Sequence, residues 1–344
     1  MNPRLPRAFA RPTIAAISLL ALCTLSLAQS EAPGFGFHFF EPAGAVQTYP
    51  SAIDSAGQAA GFYTDASSVF HGFLRTRGGQ ILSLDPPGST FTVARGSTPV
   101  GEVSGYYEDA ANNLHGFVRD SGGNYISFDA TSTSIVTQPL GMNVHGQIVG
   151  LYVDTSGAAH GFVRNADGTI VSFDACGGTN TIATSINSTG QITGYFSDAG
   201  NVERGFVRSA LGACKKFDPP GSVHTLATSI NDGGDVVGTY LDAAQVQHGF
   251  LRKRGGSLFT IDPTGSVSTV VANIGPDGIA VGYFFDRTNS QHGFVRKTDG
   301  TLVQVDVPGA RETELVAINK LDQVAGNVVQ LTGITEGLVF QFVP

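Results

Sequence analysis

The chain has 344 residues, 41% hydrophobic and 14% charged, with a formal net charge of -8. That acidity excludes a nucleic-acid partner, which would call for clustered Lys and Arg. Only three cysteines are present, Cys23, Cys176 and Cys214, and an exported compartment would permit a disulfide between the last two.

Residues 1–28 read as a secretory signal peptide: Arg4, Arg7 and Arg11 precede an uncharged run from Thr13 to Leu27, and Ser26-Leu27-Ala28 forms a small-residue cleavage site. Leu22 before Cys23 does not suit lipidation. The apolar run is too short for a membrane span, which takes roughly 20 residues, and no later segment approaches that length. Losing three arginines and no acids takes the formal charge from -8 to -11. The mature protein is therefore expected to be soluble, monomeric, and secreted or periplasmic.

Residues 29–36 form a Gly/Pro linker, and residues 37–344 a single domain. Phe37-His38-Phe39-Phe40-Glu41-Pro42-Ala43-Gly44 is half of a unit that then recurs along the whole chain. A complete unit runs from Ile186-Asn187 through Gly194-Tyr195, Asp198, Gly205-Phe206-Val207-Arg208 and Phe217-Asp218-Pro219-Pro220-Gly221 to the next Ile-Asn at 230 and 231. Its marker position falls at His71, His115, His160, Arg204, His248, His292 and Glu336, spaced by 44, 45, 44, 44, 44 and 44 residues. The other half of the split unit is Ile318-Asn319 to Phe340.

Each unit holds four short strands, A to D, separated by turn residues. In one copy these are Thr225 to Asn231, Asp235 to Tyr240, Gly249 to Arg252, and Leu258 to Asp262. Four strands in about 44 residues predict a propeller blade. The fold class is thus all-β, a seven-bladed β-propeller whose N-terminal strand completes the last blade. Strand A carries small residues, such as Ala183-Thr184-Ser185, which suit an innermost position.

This closure resembles that of the WD-repeat propellers, although the chain has no Trp. The pentapeptide His-Gly-Phe-Val-Arg at 115, 160 and 292, with Leu for Val at 71 and 248, is similar to the repeats of the bacterial extracellular HAF family. That resemblance spans about residues 37 to 342. It implies export and a repeat fold, and no particular activity.

An Asp stands six residues before each marker: Asp65 and His71, Asp109 and His115, Asp154 and His160, Asp198 and Arg204, Asp242 and His248, Asp286 and His292. Where the marker becomes Glu336, the acid becomes Gln330. Such covariation between copies implies contact across the B–C hairpin. A three-residue C–D loop places Gly161 opposite Phe173 and His160 opposite Asp174, giving an Asp-His-Asp cluster. A device present in every blade reads as a polar clasp. The competing reading, a ring of divalent-metal ligands, suffers because a metal site gathers its ligands at one spot. No metal and no cofactor is expected.

A flat-sheet count sets Cys176 and Cys214 at opposite edges, about 20 Å apart at 3.3 Å per residue, and predicts two free thiols. No catalytic motif is present, neither a Gly-x-Ser-x-Gly elbow nor His-Glu-x-x-His. Candidate binding residues are those where one copy departs from the rest: His145 in an A–B turn, and His224, Arg95, Arg311, Glu312 and Glu314 in D-to-A connections near the channel mouth. The reading is an exported binding module for an extracellular protein or glycan. The alternatives are a hydrolase or lyase acting on a glycan or lactone, and a structural surface protein.

Overall fold

The structure, a computed structural model, describes residues 36–343. The signal peptide and most of the linker lie outside the described residues. Those residues build an all-β protein of antiparallel four-strand units, three of them separate sheets and four joined in pairs by the parallel bridges Val136 to Leu114 and Gln47 to Thr335. The unit centred on His160 has strand A at Val136–Met142, B at Ile148–Val153, C at Ala159–Arg164 and D at Ile170–Phe173. Gly161 pairs with Phe173, the register that the three-residue loop requires. The same four-strand plan repeats along the chain, and His38–Phe40 pairs with Thr335–Gln341 as the fourth strand of the C-terminal unit.

The Gly-Phe dipeptide explains how these sheets stack. Phe73, Phe117, Phe162, Phe206, Phe250 and Phe294 are fully buried. Each sheet is too thin to cover its own apolar face, so these rings form the core shared with neighbouring sheets. In three units the glycine before them is covered by a D-strand ring: a Cβ on Gly161 would stand 2.8 Å from Phe173, one on Gly116 2.5 Å from Phe128, and one on Gly205 2.7 Å from Phe217. Only a bare backbone admits the ring at that distance.

Strand A lines the axis. It begins earlier than the sequence suggests, at Ser222 rather than Thr225 in the fifth unit, because Ser222 already pairs with Asp242 at the end of strand B. A bulge follows in every copy, for example between Ala227 and Ser229. Past the bulge, Asn187 accepts two backbone N–H bonds of its own A–B turn and donates through Nδ2 to the Asn231 carbonyl of the next unit at 2.9 Å. Asn143 reaches Asn187 in the same way, and Asn231 reaches Gly275. Asn319, in the last unit, reaches the Asp54 carbonyl in the first at 2.8 Å. Gln47 and Thr335 also pair across that junction.

The expectation of two free thiols is wrong: Cys176 and Cys214 form a disulfide, with Cα atoms 5.2 Å apart. The flat-sheet count ignored strand twist, roughly 20 to 25° per strand, which accumulates across a four-stranded sheet. Twist carries the C–D turn of one unit over the end of strand D in the unit before it. The Arg closing each Gly-Phe-Val/Leu-Arg run reports the same crossing. Arg208 stacks 4.6 Å from the Phe173 ring, Arg252 5.0 Å from Phe217, and Arg164 5.0 Å from Phe128. Cys176, in a short 3-10 turn, and Cys214, opposite Arg208, lie on this crossing.

Replacing both cysteines by serine should destabilise the protein by about 4 kcal/mol, the loop-closure value for a separation of 38 residues. Denaturant unfolding of the oxidised and double-variant proteins checks this, and equal stabilities would contradict it.

Candidate functional site

Two sets of polar residues stand out, at opposite ends of the sheets. The first repeats. Aspartates 65, 109, 154, 242 and 286 each begin a B–C turn and turn one carboxylate oxygen onto the turn backbone: Asp154 Oδ1 accepts the Ser156 and Ala158 N–H groups. The other oxygen faces histidine Nε2, at 3.3 Å for Asp154 and His160, 3.2 Å for Asp109 and His115, and 3.5 Å for the pairs at His71, His248 and His292. Histidine Nδ1 meets a second aspartate just past strand D. That distance is 2.7 Å from His160 to Asp174 and from His248 to Asp262, and 2.8 Å from His115 to Asp129.

Tyrosine rings cover the imidazoles from strand B. Tyr63, Tyr152 and Tyr240 stack on His71, His160 and His248 at 5.0 to 5.1 Å. Their hydroxyls reach Ser83, Ser172 and Thr260. Arg204 keeps both partners, Asp198 at 2.8 Å and Asp218 at 3.4 Å. Where Glu336 replaces the cation, Gln330 Nε2 donates to it.

Burial alone would depress the pKa of His115, His160 and His248. Hydrogen bonds to the flanking aspartates, and their charge, outweigh burial and hold all three above the ordinary value. Asp109, Asp154 and Asp286 are held down at about 2, chiefly by the Asn113 N–H, the Ser156 hydroxyl and the Thr288 hydroxyl respectively.

The second set does not repeat, and it surrounds the axis. A cavity of about 660 Å³ opens at the A–B turns, lined by strand A and by turn residues such as Asn143, Ser188, Asp232 and Lys320. Its wall at the strand A bulge is Ser51, Arg95, Leu140, Thr184, Thr228, Ala272 and Val316, one from each copy. Thr184 and Thr228 spend their hydroxyls on the Ala227 and Val271 carbonyls of the next unit.

The sequence candidates divide between the two ends. His145 is exposed in its A–B turn, beside the cavity-lining Val144. Arg95 lies inside strand Phe91–Ser97, and His224, Arg311, Glu312 and Glu314 also lie within inner strands. Their assignment to connecting loops is corrected: the earlier start of strand A takes in His224, Arg311 and Glu312, while Arg95 and Glu314 align with Thr228 and Leu226 inside the strand proper. His224 pairs with Glu203 of the preceding unit, and Arg311 with Glu312 at 2.8 Å. Glu314 keeps a little surface, but burial pushes its carboxyl up, against hydrogen bonds from Asn327 and Gln291. Arg95 does not meet these residues in any ion pair. Among the described residues, no group of three or more His, Cys, Asp or Glu could hold a metal ion, and no helix is long and apolar enough to cross a membrane.

No family model matches the chain, and no curated protein does. Solved structures do resemble it. Puromycin hydrolase aligns with a TM-score of 0.59 at 10% identity, over 89% of this chain and 54% of that one. The β-propeller domain of the Trilobed protease from Pyrococcus furiosus aligns at 0.58 and 12%, over 86% and 95%. The BP39L lectin from Burkholderia pseudomallei aligns at 0.54 and 10%, over 85% and 95%. At such identities the likeness shows a β-propeller fold alone.

The clasp has a pH signature. A raised histidine pKa adds stability that is complete below the unfolded value of 6.5 and is lost as pH rises through the folded value. A depressed aspartate pKa adds stability above 3.8 that is lost as pH falls toward about 2. The melting temperature should therefore be highest between these limits, and His160→Gln should flatten the alkaline decline. An unchanged decline in that variant would contradict the assignment.

Proposed function

We propose that the chain is an exported, closed seven-bladed propeller that serves as a binding module, with the A–B-turn end of its axial channel as the contact surface. Closure rests on His38–Phe40 completing the C-terminal sheet and on the Asn319 bond to Asp54. Export rests on the signal-like N-terminus, and the Cys176–Cys214 disulfide agrees with an oxidising compartment. The pentapeptide repeats support membership of the HAF-repeat family.

One observation carries the binding reading: the repeated polar residues hold one another, whereas the strand A bulge sets a different residue of each copy on the cavity wall. Asp, His and Asp saturate each other in the clasps, and we take the clasps to be scaffold. The cavity wall mixes hydroxyl, amide, apolar and cationic groups within a volume that suits a small ligand. Hydroxyl- and amide-bearing walls favour a glycan or a polar peptide segment over an apolar molecule.

A thermal-shift screen of residues 29 to 344 against a glycan panel tests this. A native-state ligand at a hundredfold excess over its Kd stabilises by about 2.7 kcal/mol. The shift should disappear when Ala272→Trp fills the mouth. A shift that survives this substitution would move the site away from the channel.

A further inference from the structure

Arg95 is the exception in the cavity wall. Its six counterparts are Ser51, Leu140, Thr184, Thr228, Ala272 and Val316, all uncharged. Its Nε is buried without a hydrogen-bond partner, and no ion pair or hydrogen bond engages the guanidinium among the described residues. Arg75 and Arg164 also bury Nε unpaired, but each donates from Nη1 to a neighbouring carbonyl and stacks on a phenylalanine as part of the repeat. Arg95 has only the Tyr106 ring, with Cζ 5.8 Å from its centroid.

The acids of the same mouth are committed elsewhere. Asp54 accepts the Ala56 and Gln58 N–H groups on one oxygen, and Gln58 Nε2 and Ser97 Oγ on the other. Asp232 accepts the Ser188 N–H. A chain with 28 acids and 20 Lys and Arg thus leaves one guanidinium unpaired in its channel. That group presents a planar donor fork, whose natural complement is a carboxylate or a phosphate.

We propose that Arg95 makes the channel mouth a site for a carboxylate-bearing, polyhydroxylated ligand, an acidic sugar of the uronate type. The inference rests on the binding-module reading and adds the chemistry of its ligand. Arg95 and Lys320 share the lining with Asp54 and Asp232, so the mouth has no net positive charge and suits a monoanion better than a phosphate dianion. The sugar ring would face the Ser51 hydroxyl, which has no hydrogen-bond partner among the described residues, and its apolar face would meet Leu140. The cavity of about 660 Å³ has room for it.

The test is isothermal titration of residues 29 to 344 with sodium D-glucuronate, methyl β-D-glucopyranoside and inorganic phosphate. Glucuronate should bind the wild type, more weakly as salt is raised, and Arg95→Gln should weaken it by at least about tenfold. Methyl glucoside should bind the two proteins alike and more weakly than glucuronate binds the wild type. Should Arg95→Gln fail to fold, Arg95→Lys, which keeps the charge and loses the fork, should bind glucuronate several-fold less tightly. Equal affinity of glucuronate for wild type and variant overturns the proposal, and tighter binding of phosphate overturns the carboxylate assignment. If the neutral sugar binds both proteins as well as glucuronate does, the acidic-ligand inference fails and the binding-module reading stands. If no glycan of the broader panel binds either, both fail.

Discussion

A four-stranded sheet of this size cannot bury its own apolar face, and that constraint governs the molecule. The solution is the Gly-Phe pair. The phenylalanine goes between sheets with no exposed surface, and the glycine beside it leaves space for a strand D side chain, a ring at Gly116, Gly161 and Gly205. Neither position works without the other: a Cβ at Gly161 would displace Phe173, and the displaced ring would open the wall against Phe206 of the next unit. Stability therefore belongs to the contacts between units as much as to any unit. Asn143, Asn187, Asn231 and Asn319 bind the inner ends of the units to one another, each reaching a carbonyl of its neighbour.

Stacking of this kind separates scaffold from surface. The Asp-His-Asp clasp and its covering aromatic ring sit at the B–C edge, where the imidazole links a turn aspartate to an aspartate past strand D. At the A–B end, the bulge in strand A turns one residue of each copy onto the channel wall. Nothing in the packing requires those residues to be alike, and they differ. A repeat fold thereby obtains an asymmetric wall from a nearly symmetric frame.

Much of the frame was legible in the sequence because its constraints are local. The three-residue turn fixed the C–D register, so Gly161 opposite Phe173 could be read from Asn165 to Thr169. The exchange of Asp and His for Gln330 and Glu336 announced a contact that the structure contains. What escaped was set by three-dimensional twist and by irregular backbone. The Cys176–Cys214 bond required knowing that twist brings a C–D turn over the preceding strand D. The repeated Arg at the end of strand C, opposite a repeated Phe in the unit before, carried that signal unread. The place of Arg95 on the channel wall depended on a bulge that no turn residue marks. The Asn of each Ile-Asn pair served as a landmark, while its bond to the next unit involves a backbone carbonyl and leaves no trace in the neighbour's side chain.

Strand His38–Phe40 is the central test, because a ring depends on it and an open stack does not. Phe40 covers Gly337 and packs edge-to-face against Phe73 at 5.7 Å, so it serves the last sheet and the first together. The measurement is thermal unfolding of a chain that starts at residue 45, with and without a synthetic peptide of residues 36 to 44. A ring predicts a large drop in melting temperature on truncation, reversed by saturating peptide. Melting of the truncated chain at the full-length temperature would contradict closure by this strand.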